Sequence, residues 1–168
     1  IEDEDGTNLP LADQGMGAIQ MMILLLRLAT IMHIAKSNKS ASTTVVIEEP
    51  EQNLHPKMQS LLADLLQSIA TSNDYKVNFI IETHSEYLIR KSQVLVANAN
   101  YADDKDLEEN SPFTVYYLPA DAGEPYQMHY KTTGGFVEKF GTGFFDAATE
   151  SDMVIIRKEF EQKKKNRK

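Results

Sequence analysis

Cysteine is absent from the chain, so neither a disulfide framework nor a thiolate metal site is available. That absence fits a reducing cytoplasm, although secreted bacterial proteins also dispense with cysteine. Basic residues are in the minority: 17 Lys and Arg stand against 25 Asp and Glu, a formal net charge of −8. No global basic surface therefore argues for nucleic acid. The one basic run, "KKKNRK" at 163–168, reads as a solvated terminal tail.

The opening "IEDEDGTNLPLADQG" has no initiator methionine and no apolar segment, and it is acidic. It therefore does not read as a signal peptide. It reads as a strand fragment, a turn at Asp5-Gly6 and a second extended piece, as if cut from a longer chain. A long uninterrupted apolar run is also missing. The nearest approach, "AIQMMILLLRLATIMHIA" at 18–35, is broken by Gln20, Arg27 and His33. An arginine near the middle of a bilayer span costs about 3 kcal/mol on insertion scales, so the expectation is a helix buried on most sides in a soluble core, with no membrane partner. His33 is expected to be a core or interface residue rather than a ligand.

What is present fits one domain with a sizeable core: 168 residues, 42% hydrophobic and 25% charged. After the long apolar helix comes a Ser/Thr-rich loop and the run Val45-Val46-Ile47. A second helix is predicted from about Pro56, with Met58, Leu61, Leu62, Leu65, Leu66 and Ile69 on one face. The strand at 79–81 then ends in Glu-Thr-His-Ser, and Ser85 is placed to cap a third helix. Strands alternating with helices imply right-handed crossovers and a parallel sheet. The continuous VVI and FII runs imply strands buried on both faces.

Beyond residue 99 the character changes. "NYADDKDLEENSP" reads as a polar, acidic surface connection, and "FTVYYLPADAGEPYQMHYK" as a hairpin. "TTGGFVEKFGTGFFDAATE" is rich in Gly and Phe without periodicity, and an amphipathic helix is predicted over 150–163. His129 carries no functional signal. The expected division is 1–99 for the α/β unit and 100–168 for the extension.

The segment that demands a chemical explanation is "VVIEEPEQNLHP", 45–56, where a strand-like run enters three carboxylates and a histidine. In an open parallel sheet, ligands sit at the carboxyl ends of the strands. Glu48-Glu49 and Glu82-Thr83-His84 both fall at that edge. Such an edge can hold a hard cation, position a water beside a second carboxylate, and offer a histidine to a phosphate. The alternative is a set of solvated strand-end residues. Glu51, past the proline, is expected to lie off the strand end and to matter little.

These residues resemble the Walker B segment of ATP-binding-cassette ATPase heads. The form EEPE-x-x-LHP is similar to the branch that includes RecF-like, SMC-like and overcoming-lysogenization-defect ATPases. "IIETHSEYLI" resembles that branch's switch-histidine segment, and "LPLADQGMGAIQMMILLL" stands where its signature motif and long helix belong. The tail "GGFVEKFGTGFFDAATE" resembles the end of a bacterial group of predicted AAA-type ATPases. The resemblance implies an α/β fold: the C-terminal lobe of a parallel-sheet P-loop NTPase, ABC ATPase-like, with a β-rich C-terminal extension.

The resemblance also implies roles. Glu48 would hold Mg²⁺, Glu49 would polarise the water that attacks ATP, and His84 would contact the γ-phosphate. Gly15 and Gly17, at the start of the long helix, would offer backbone N–H groups to a partner's nucleotide. Relatives usually carry serine where Ala12 stands. Asn53, Leu54 and His55 would lie in the D-loop, which crosses to a second head, so the implied partner is a homodimer or higher oligomer. His55 equally reads as a helix cap. Nucleic acid would be reached only through the parent protein.

No G-x-x-x-x-G-K-[ST] occurs in the sequence, so the loop that cradles the phosphates is not here. The expectation is an ATPase in the full-length parent, with DNA repair or phage defence as the coupled activity, and no turnover by these residues alone. Two other readings stand beside it. One is a degenerate interaction domain, which Ala12 favours and Glu49 and His84 oppose. The other is a nuclease component, for which the acids of "ADDKDLEEN" lack a strand leading into them.

Overall fold

The computed structural model describes residues 15–37, 41–120, 123–141 and 144–145. The expected turn at Asp5-Gly6, Ala12, the helix over 150–163 and the basic tail lie outside the described residues.

Two parallel strands form the structural centre. Strand β1 (Thr43–Glu48) pairs with β2 (Val77–Glu82) in unbroken register, from Thr43 opposite Val77 to Glu48 opposite Glu82. Helix α2 (Pro56–Ala70) makes the crossover and packs on β2. Proline is well suited to open it, since its missing N–H has no acceptor in a first turn. Helix α3 (Glu86–Asn98) follows β2 and packs on α2; the Ser85 hydroxyl accepts from the Leu88 N–H at 3.1 Å, the cap read from the sequence.

The core gathers Leu62, Ala63, Leu66 and Ile69 of α2 with Val77, Leu88, and Leu28 and Ala35 of helix α1 (Met16–Ser37). The α2 face is narrower than its periodicity suggests. Met58 and Leu61 are exposed, and Ala63 takes a buried place instead.

Two burial expectations are corrected. The strands are covered on one face only. Val45, Ile47, Phe79 and Ile81 pack toward the core, whereas Val46 is 66% and Ile80 59% exposed. Alternation along a strand sends neighbouring side chains to opposite faces, and the described elements cover only one. Helix α1 is likewise covered along a single stripe of Leu24, Leu28, Ile31, Met32 and Ala35. Met16, Met22, Ile23, Leu25, Leu26 and Ile34 remain exposed, because nothing among the described residues packs on that side. By length and composition alone α1 could cross a membrane; its Leu28–Ala35 stripe instead belongs to the α2–β2 core.

The acidic connection is also corrected. Residues Asp104–Asn110 form a short helix, α4, because Asp103 caps it at the Asp106 N–H (2.9 Å). The hairpin is present as β3 (Val115–Tyr117) antiparallel to β4 (Tyr126–Met128). The extension is tied to α3: the hydroxyls of Ser92 and Tyr130 lie 2.6 Å apart, and Arg90 sits 4.5 Å over the Phe145 ring. Gly134, at φ +81°, lies so close to the Gln93 carbonyl that a Cβ would collide with it. Phe136, Phe140, Phe144, Phe145 and Tyr117 form a chain of ring contacts, the structural use of the aperiodic Gly/Phe segment.

Candidate nucleotide-hydrolysis edge

The two strands end level, so the residues that leave them are brought side by side. Glu48 and Glu82 are paired positions, and the Glu49 N–H donates to the Glu82 carbonyl at 3.0 Å, carrying the ladder one residue further. Glu49 then turns sharply. Its φ of +42° lies in the left-handed region, where a residue with a Cβ is strained. The chain doubles back through two consecutive turns, Gln52 N–H to Glu49 carbonyl at 3.1 Å and Leu54 N–H to Glu51 carbonyl at 3.0 Å. Asn53, at φ +60°, occupies the left-handed region that Asn tolerates best after glycine.

These turns aim the side chains at one another. His84 Nε2 lies 3.1 Å from a Glu82 carboxylate oxygen and 3.6 Å from one of Glu49. The first is hydrogen-bond distance; the second is a proximity of charge only when the imidazole is protonated. All three side chains face solvent, and the His84 side chain is 77% exposed. An open cleft of about 630 Å³ is lined by Val46, Ile80, Glu48, Glu49, Glu82, Gln20 and Gln52.

This donor set fits a hard cation. Mg²⁺ takes oxygen ligands and keeps several waters, so a rim of carboxylates open to solvent suits it. Ligand atoms of Glu49, Glu82 and His84 lie within 4.8 Å of one another. Glu48 is outside that trio but lines the same cleft.

Glu82, Gln20 and Gln52 belong to the site although the sequence reading gave them no role. Glu82 was legible as part of the ETHS edge. Gln20 was not, because only folding brings it near: Gln52 Nε2 donates to Glu49 Oε2 (3.2 Å), Gln20 Nε2 to Gln52 Oε1 (3.3 Å), and Asn53 Nδ2 to Gln20 Oε1 (2.9 Å). A hydrogen-bonded path thus runs from α1 through the turn to Glu49.

The remaining sequence-derived residues have these places. Gly15, at φ +86°, has open space where a Cβ would stand, at the start of α1. Gly17 has a packing reason to be glycine, since a Cβ there would collide with the Asn53 carbonyl oxygen. His55 caps α2, its Nδ1 accepting from the Lys57 N–H at 3.3 Å. Glu51 is not peripheral, contrary to the sequence reading. It is 8% exposed, and one carboxylate oxygen accepts from the His84 backbone N–H at 2.7 Å.

Comparison with known proteins gives one family and one relative. Over 114 residues the chain is 30% identical to "Endonuclease GajA" of Bacillus cereus (strain HuB5-5), a match covering 61% of this chain and 17% of that protein. No solved structure matches the chain. Residues 1–89, which hold α1, both strands, α2 and the carboxylate edge, match the model of the AAA ATPase domain. The chain belongs to the AAA ATPase domain family.

Proposed function

We propose that residues 1–99 are the water-activating lobe of an ATP-hydrolysing head of the RecF-like, SMC-like and overcoming-lysogenization-defect branch, and that 100–168 form an extension docked on α3. The observation that carries the reading is the level ending of β1 and β2, which gathers Glu48, Glu49 and Glu82 around one cleft and sets His84 beside the last two. In this reading Glu49 accepts a hydrogen bond from the attacking water, and its strained turn aims it off the strand end. Glu48 would hold Mg²⁺, which would supply charge neutralisation on the phosphates. His84 donates to the γ-phosphate.

Gly15 and Gly17 present the N–H groups at the start of α1 to the nucleotide of a second head, and Asn53 and His55 lie on the turn that crosses to it. The protein works as a homodimer or higher oligomer in the cytoplasm. The phosphate-cradling loop, which these 168 residues do not contain, completes the site in the full-length protein.

The test is Glu49→Gln in that full-length protein. General-base contributions are worth roughly 10²- to 10⁴-fold in rate. ATP hydrolysis should fall on that scale while ATP binding persists and holds two heads together. Unchanged hydrolysis would show that the carboxylates are not a catalytic edge.

A second reading, participation in an endonuclease, is favoured by the name of the Bacillus cereus relative. The acids at α4 give it little support: Asp103, Asp106 and Glu109 are engaged locally, Glu109 with Lys105 at 3.8 Å, and no strand leads into Asp104 or Glu108. Asp103 caps Asp106, and Asp106 accepts from the Ala102 N–H and from Asn110. If the full-length protein cuts DNA, neutralising Asp104, Glu108 and Glu109 together should leave cutting intact. ATP-dependent repair or defence against phage is the coupled activity we propose for the parent.

A further inference from the structure

Glu51 is out of keeping with its neighbours. Glu48, Glu49 and Glu82 are exposed, as carboxylates at a sheet edge usually are, yet Glu51 is buried two residues after Glu49. Burying a carboxylate carries a large desolvation cost unless its oxygens are satisfied. Here one oxygen has a single short bond, to the His84 N–H at 2.7 Å, and the other is buried without a partner among the described residues. A side chain kept there at that cost has a task that an apolar residue of the same volume cannot do. Accepting the His84 N–H is the task the geometry shows.

His84 needs such a hold. Its side chain is largely in solvent, so packing does not orient the imidazole. Glu82 meets the ring at 3.1 Å, and the backbone that carries the ring is gripped from both sides. Glu51 takes the His84 N–H. On the other side the Ser85 N–H donates to Thr83 Oγ1 at 3.0 Å, and Ser85 Oγ donates to Gln59 Oε1 at 2.5 Å. Gln59 in turn donates to the Leu54 carbonyl at 2.9 Å. The turn after β1 and the loop after β2 are therefore joined twice, by Glu51 directly and by Gln59 from α2.

We propose that Glu51 is a positioning residue for His84. Its carboxylate holds the His84 N–H, so that the imidazole meets the carboxylates of Glu49 and Glu82. The turn bearing Glu49 and the loop bearing His84 then move as one unit. The catalytic consequence rests on the hydrolytic reading of the site; the hold itself does not.

The experiment reads hydrogen–deuterium exchange at the His84 amide and ATPase kinetics in the full-length protein, for Glu51→Gln and Glu51→Leu. In the unaltered protein the His84 amide should be protected despite its exposed side chain. Glu51→Gln retains an oxygen acceptor and should keep both the protection and kcat within about threefold, less than the loss of one charged-group hydrogen bond. Glu51→Leu should speed exchange at His84 by about 10- to 100-fold, leaving Leu62 and Leu66 of α2 unchanged. Its kcat should fall by about 10- to 100-fold, the scale of a misplaced catalytic group, with KM for ATP nearly constant.

An unprotected His84 amide in the unaltered protein overturns the proposal without any variant, so a Glu51→Leu chain that does not fold leaves it falsifiable. So does equal damage from Gln and Leu. Faster exchange in Glu51→Leu with unchanged kcat overturns the positioning role, provided Glu49→Gln abolishes hydrolysis. If Glu49→Gln leaves hydrolysis intact as well, the failure belongs to the hydrolytic reading.

Discussion

Glu48 stands beside Glu82 across the β1–β2 ladder, two carboxylates at matched positions where the parallel strands end. Like charges on adjacent strands repel, by roughly 0.2–1 kcal/mol at an exposed position. Glu48→Gln, which leaves the Glu82–His84 contact in place, should therefore raise the stability of the metal-free protein by about that amount. The gain should shrink as salt screens the pair. Urea unfolding at low and high ionic strength checks both. A loss of stability on neutralisation would mean that the carboxylate makes a favourable contact.

Gly17 and the Asn53 carbonyl leave no room for a methyl group between α1 and the turn after β1. Alanine is the better helix former by about 1 kcal/mol, yet Gly17→Ala should destabilise by about 1–3 kcal/mol, the cost of overpacking. The Gln20–Asn53 bond should break as the two segments separate. Thermal unfolding together with the Asn53 side-chain amide resonances would show it.

Leu62 is 1% exposed at the centre of the core. Leu62→Ala should cost about 2–5 kcal/mol, because the helix and strand around it cannot fully close the cavity. Ser85→Ala removes the α3 cap and should cost about 1 kcal/mol, with the loss also felt at the neighbouring His84 loop. Chemical denaturation ranks the two.

Tyr130 reports the docking of the extension. Burial pushes its hydroxyl up to about 12, with the Ser92 hydrogen bond pulling weakly the other way. The folded state thus keeps a proton that the unfolded state, titrating near 10, has released. That contribution to stability is whole below about pH 10 and is lost as pH rises toward about 12. A spectrophotometric titration should show one late-ionising tyrosine that disappears in Tyr130→Phe. Its persistence in that variant would assign the late phenol elsewhere.

His129 and Glu138 form a second pH-sensitive contact in the extension. The His129 backbone N–H and ring nitrogen both reach the Glu138 carboxylate, at 2.6 and 2.8 Å, and hold it below the usual carboxylate range. The sign is opposite to that of Tyr130: the contribution is present above the ordinary glutamate pKa and fades as pH falls through the lowered one. Glu138→Gln should flatten the acid limb of an unfolding curve, measured by circular dichroism. An identical acid limb in the variant would remove this pair from the account.

The sequence by itself determined the elements with local causes. Proline and His55 start α2, Ser85 starts α3, and the alternation of strand with helix makes the sheet parallel. It also placed Glu48, Glu49 and His84 at one edge, because that edge follows from where each apolar run ends. Tertiary structure alone decided which faces are covered. Val46, Ile80 and most of α1 are as apolar as their buried neighbours, and burial depends on what packs opposite, which no local pattern encodes. It also reversed the standing of Glu51. Read along the chain, that carboxylate lies past a proline and off the strand. In the fold the turn carries it inward to the amide of His84, 33 residues away, where only the meeting of two loops makes it matter.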